Sequence, residues 1–105
     1  MENQDNASDV DRVIDVVCGY FKVTREEMLS KTRKRPFVTA RAMCQYYLIK
    51  ETKLTLHAIA QLIYKSDDHT NVIYHRDAID EQITAKHHNE FKIHVENLNK
   101  LLNIN

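Results

Sequence analysis

The sequence predicts an all-α fold, and three observations carry that expectation. The 105 residues hold a single glycine, Gly19, and a single proline, Pro36, so the turn residues that sandwiches, barrels and α/β folds place between strands are missing. Apolar residues recur at three- and four-residue spacings, the period of an amphipathic helix rather than a strand. Helix-start signals precede several of these stretches. The length suits one domain with one core.

Ser8, followed by Asp9 and Asp11, opens the first helix, and Val10, Val13, Ile14, Val17 and Phe21 mark its inner face over about residues 9–21. Thr24 with Glu27 three residues on forms a capping box before a short second helix. The run Ser30-Lys31-Thr32-Arg33-Lys34-Arg35-Pro36 reads as an exposed basic loop, because proline disfavours helix immediately before it. Pro36 suits a first helical turn, and Val38, Met43, Tyr46, Tyr47 and Leu48 then ride on a long third helix ending near Glu51.

Thr55 caps a fourth helix over residues 56–63, with Leu56, Ile59, Ala60 and Ile63 on one stripe. The polar break Lys65-Ser66-Asp67-Asp68 leads into a fifth helix from His69 to about residue 83, with Val72, His75, Ile79 and Ile83 inward. Phe91, Val95, Leu98, Leu101 and Leu102 mark a sixth. The expected organisation is a disordered acidic head at residues 1–8, a helix-turn-helix domain over 9–84, and a C-terminal helix within 85–105 packed on the same domain. His75 reads as a hydrogen-bonded core histidine, and the five tyrosines as mainly core residues of helices one and three.

Composition narrows the function. Both Gly-rich phosphate loops are excluded, since each uses glycine to bring backbone N–H groups onto phosphate; no bound nucleotide, other cofactor or enzymatic activity is expected. Cys18 and Cys44 stand apart in apolar surroundings, which suggests neither a disulfide framework nor a zinc knuckle and fits a reducing cytoplasm. His87, His88 and His94 lack metal-ligand spacing. No apolar run approaches the roughly 18 residues of a membrane span. The net charge is zero, yet residues 22–53 carry nine bases against three acids, a cationic band suited to a polyanion.

The short fourth helix, the break and the longer fifth helix make a helix-turn-helix pattern. In such proteins the N-terminal end of the second helix reaches base edges in the major groove. Here that end reads Asp68-His69-Thr70-Asn71. Asp accepts from cytosine N4, Thr offers a methyl to thymine, Asn pairs bidentately with adenine, and His donates or accepts.

Three blocks in order resemble the DNA-binding C-terminal domain of the bacterial replication initiator DnaA: Val17-x-x-Tyr20-Phe21-x-Val23 leading to Leu29-Ser30-Lys31-x-Arg33, then Ala40-Arg41-x-Met43, then Asp68-His69-Thr70-x-Val72. They span about residues 10–80. The resemblance implies recognition of short duplex boxes at a replication origin. It places Asp68, His69 and Thr70 on base-reading positions and Arg33 in the minor groove. It puts Lys31 near phosphate and matches Arg41 to an arginine that holds the backbone, and sets the backbone of Leu56 and His57 against a phosphate. Lys34 and Arg35 extend the basic loop toward phosphate. The chain departs from the pattern at Asn71, where the family has a second Thr, at Lys65-Ser66 in place of a Gly-rich turn, and at Asp67 in place of an arginine. A different or relaxed target is the expectation. The alternative is a protein-interaction module on the same frame, partnered by an initiator or regulator protein.

Overall fold

The structure is a computed structural model that describes the backbone of residues 2–104 and the side chains of 9–104. Six helices make an all-α bundle: α1 (Glu2–Phe21), α2 (Arg25–Met28), α3 (Phe37–Glu51), α4 (Leu56–Ile59), α5 (Thr70–Thr84) and α6 (Glu90–Leu101). There is no strand among the described residues. A π-helical segment, Ala60–Tyr64, continues α4 directly, so the expected fourth helix is regular only in its first turn. α1 begins at Glu2 rather than near Asp9 and takes in backbone expected to be disordered. The side chains of that head lie outside the described residues.

Local chemistry explains most boundaries. α1 ends where Lys22 turns left-handed (φ 60°), letting Val23 N–H reach back to the Cys18 carbonyl at 3.0 Å, a Schellman-type stop. At α2 the capping box is complete: Thr24 Oγ1 accepts from Glu27 N–H at 3.0 Å and Glu27 Oε1 accepts from Thr24 N–H at 2.8 Å. Thr55 Oγ1 accepts from Ala58 N–H at the head of α4, and Asn89 Oδ1 accepts from Lys92 N–H at the head of α6.

α3 is the central element. Residues 40–48 are all buried, including Arg41 and Gln45, because α1, α2, α4 and α5 all pack around it. The core beneath them is built from Val13, Ile14 and Val17 of α1, Met28, Met43, Tyr47 and Leu48, Ile59 and Ile63, Val72 and Ile79. α6 lies against α1 and α5, burying Leu98 and, just past its end, Leu102. Tyr47 Oη reaches from α3 to Asn99 Oδ1 at 2.6 Å and Val95 O at 3.1 Å, and Arg12 Nη2 donates to the Leu102 carbonyl.

Candidate nucleic-acid interface

Two side chains of α3, one helical turn apart on one face, position the two segments that carry the candidate residues, the basic loop and the start of α5. Arg41 is 7% exposed. Its Nη1 donates to the Met28 carbonyl at 2.9 Å and the Ser30 carbonyl at 2.7 Å, and its Nη2 to the Thr32 carbonyl. The loop after α2 has no regular secondary structure over residues 31–34, so these bonds give it shape. Burial pulls the Arg41 pKa below the ordinary arginine value. The sequence reading set Arg41 against DNA phosphate; in the structure its guanidinium is engaged by the three carbonyls and shapes the loop that carries Lys31 and Arg33.

Gln45 is fully buried. Its Nε2 donates to the Val72 carbonyl of α5 at 2.8 Å, and its Oε1 accepts from Tyr64 Oη at 2.8 Å. One amide thus joins α3, the end of the π segment and the first turn of α5. Burial raises the Tyr64 pKa, against the opposing influence of Arg41, so the phenol stays a neutral donor.

The turn between the two helices passes through Lys65 in the left-handed region (φ 54°, ψ 43°), a conformation that favours glycine. Ser66 Oγ accepts from Asp68 N–H at 3.1 Å, and Asp67 Oδ1 accepts from Gln61 Nε2 at 3.0 Å. Asp68 Oδ1 accepts from both Thr70 Oγ1 at 2.5 Å and Thr70 N–H at 2.9 Å. Those two bonds, with His69 nearby, hold the Asp68 carboxyl below the usual carboxylate range. Asp68 therefore orders the tip of α5 even though Asp68, His69, Thr70 and Asn71 are all exposed.

The loop and the first turns of α5 line one cleft of about 510 Å³, which Asn71 alone of the four tip residues borders. Lys31 and Arg33 line it from the loop, Asn71 and His75 from α5, and Arg41 and Tyr64 lie between them. Lys34 is exposed but outside the cleft lining. Arg35 belongs to a second, smaller cleft against α5 and α6, where it faces Glu90 at 3.9 Å. At α4, Leu56 is half-buried against the core and His57 exposed.

The structure departs from the expectation at His75. His75 makes a ring stack on Tyr64, with centroids 5.5 Å apart and planes 11° from parallel, rather than sitting hydrogen-bonded in the core, and it is half-buried. Burial, reinforced by Arg41, lowers its pKa below 6.5. Tyr46 and Tyr47 are buried and Tyr20 packs against the core, as expected of most of the tyrosines, whereas Tyr74 is 68% exposed on α5. His94 instead is the hydrogen-bonded histidine, its Nδ1 lying 2.9 Å from Tyr20 Oη. Gln45, Tyr64 and Tyr74 escape the sequence reading. A lone Gln amid apolar neighbours is the signal that could have found the first, and the four-residue step from Thr70 the signal for Tyr74. No cluster of three or more His, Cys, Asp or Glu side chains suited to a metal ion occurs among the described residues. No helix among them is long and apolar enough to cross a membrane.

Comparison with known proteins agrees with this geometry. The family model described as "Bacterial dnaA protein helix-turn-helix" matches residues 10–79. The chromosomal replication initiator protein DnaA of Gloeobacter violaceus is 39% identical over 69 residues, covering 66% of this chain and 15% of that protein. That of Flavobacterium psychrophilum is 33% identical over 95 residues, covering 90% of this chain and 19% of that protein. The chain thus spans less than a fifth of the length of these relatives. No solved structure matches it. With a matched model that runs from α1 into α5 and so takes in the loop, α3 and the helix-turn-helix, the chain belongs to the helix-turn-helix family of the bacterial DnaA C-terminal domain.

Proposed function

We propose that this chain is a non-catalytic module of the cytoplasm that binds double-stranded DNA with sequence preference, in the manner of box recognition at a replication origin. One observation carries the reading: Asn71 of the α5 tip lines the same cleft as Lys31 and Arg33 of the basic loop, so one duplex can meet the loop and the start of α5 together. In this reading the tip of α5 enters the major groove, with His69, Thr70 and Asn71 at base edges. Asp68 fixes the tip and keeps its second carboxylate oxygen for a base. Arg33 reaches the adjacent minor groove, and Lys31 and Lys34 meet phosphate. Arg35, drawn toward Glu90, contributes at the rim, and the backbone at Leu56 and His57 faces a phosphate.

Titration of labelled duplexes, random and DnaA-box-containing, at two salt concentrations tests this. Binding that weakens steeply with salt is expected, with each phosphate contact contributing about 0.9 to the logarithmic slope. Arg33→Ala should weaken all duplexes, whereas Asn71→Ala should cost about 1–3 kcal/mol at particular base pairs. Zero net charge and Asp67 at the turn favour a second reading, a protein-interaction module on the same frame that engages an initiator or regulator. Failure to bind any duplex at low salt would leave that reading standing.

A further inference from the structure

We infer that Tyr74 is a further base-reading residue, which contacts the 5-methyl group of a thymine one to two base pairs beyond those that the tip residues meet in the major groove. The inference rests on the DNA-binding reading above. Helical periodicity of 100° per residue places Tyr74 between Thr70 and Asn71 in angle, one turn further along α5. It therefore sits on the outward strip of the helix, opposite buried Val72 and Ile79. Tyr74 is 68% exposed, the most exposed large hydrophobic residue among those described. Its ring rests edge-on against His75 at 5.4 Å and 77°. That contact limits where the ring can go without covering it.

The rise of the helix fixes how far this reading extends. Tyr74 lies about 4.5 Å beyond Asn71 along the axis at about 1.5 Å per residue, and base pairs repeat every 3.4 Å or so. The ring thus falls one to two base pairs past the position that Asn71 reads. An aromatic or methyl surface in the major groove selects the thymine methyl, the apolar group that distinguishes that base there. Exposed Ala78 extends the same strip by another turn. Asp77 and Glu81, both exposed, bring acidic charge beside it and discourage phosphate from approaching further along.

The experiment uses the full chain. Duplexes selected from a random pool by the wild type, Asn71→Ala and Tyr74→Ala are compared, and each thymine of the preferred duplex is then replaced by uracil, which removes only the methyl. Circular dichroism checks that the exposed Tyr74 substitution leaves the fold intact. The expected result is one thymine, one to two base pairs from the position relaxed by Asn71→Ala, at which uracil lowers wild-type affinity about three- to tenfold. Tyr74→Ala should lose that dependence while keeping the preference governed by Asn71. Wild-type-like selection by Tyr74→Ala overturns the inference, as does a uniform weakening of selected and random duplexes alike. Absence of any duplex binding by the wild type overturns the reading beneath it, a result distinguishable from the other two.

Discussion

Replacing Arg41 by Met removes three charge-assisted hydrogen bonds, to the carbonyls of Met28, Ser30 and Thr32, and replaces a buried cation with an apolar side chain. Bonds to a charged group contribute about 1.5–3 kcal/mol each. Relief from burying the guanidinium offsets part of that sum, and the net loss should be about 2–4 kcal/mol. Urea denaturation should show the loss directly, and the melting temperature should fall by roughly 10–25 °C. Because stabilities of about 5–15 kcal/mol are usual for such domains, the variant should remain folded at room temperature.

DNA binding separates the inward role of Arg41 from contact with phosphate. A loop freed of its anchor must be ordered again on the duplex, at about 1–2 kcal/mol per residue. Even two such residues should lower affinity more than tenfold. The slope of affinity against salt should stay as it was, because every exposed cation of the loop is still present. A slope lower by about 0.9 would put Arg41 on a phosphate after all. Stability within about 0.5 kcal/mol of wild type, the range of an ordinary surface substitution, would refute the anchoring argument altogether.

Three further outcomes are expected. Lys65→Gly relieves a left-handed residue in the turn and should stabilise the domain by about 0.5–1 kcal/mol in thermal or urea melts. Gln45→Leu leaves Tyr64 Oη and the Val72 carbonyl without their cross-link and should cost about 1–3 kcal/mol, with a double-mutant cycle against Tyr64→Phe revealing the coupling. His75 and His94 both have folded pKa values below the ordinary 6.5. Their contribution to stability is therefore complete above pH 6.5, and is lost as pH falls below that, because the unfolded chain then takes up protons that the folded state resists. Melting temperature should drop over that acidic window, and His94→Gln should flatten the drop.

Much of this architecture was legible in the sequence because it rests on local rules. The capping box at Thr24, the cap at Thr55 and the apolar stripes of α5 and α6 act within a few residues, so spacing alone reveals them. The tip at Asp68 was legible for the same reason. Arg41 was not, since an arginine beside a basic loop looks like one more surface cation until tertiary packing surrounds α3 on all sides. That packing also hides Gln45, whose partners lie far along the chain. The π segment and the left-handed Lys65 were obscured by residues with no special preference for those conformations. Tyr74 was missed because beyond the first turn of α5 the apolar period marks only the inward face, and a tyrosine outside that period carries no local signal of its role.

Arg41 and Gln45 share one face of α3, four residues and therefore about 6 Å apart along its axis. One hangs the basic loop and the other hangs α5, so a single rigid rod works as a calliper whose jaws are set by helix pitch. On the proposed DNA-binding reading, exchanging residues at the jaws can change which bases are chosen, but the separation between the two grooves that are probed stays constant. Evolution of a new target on this frame is therefore free in letters and constrained in gauge.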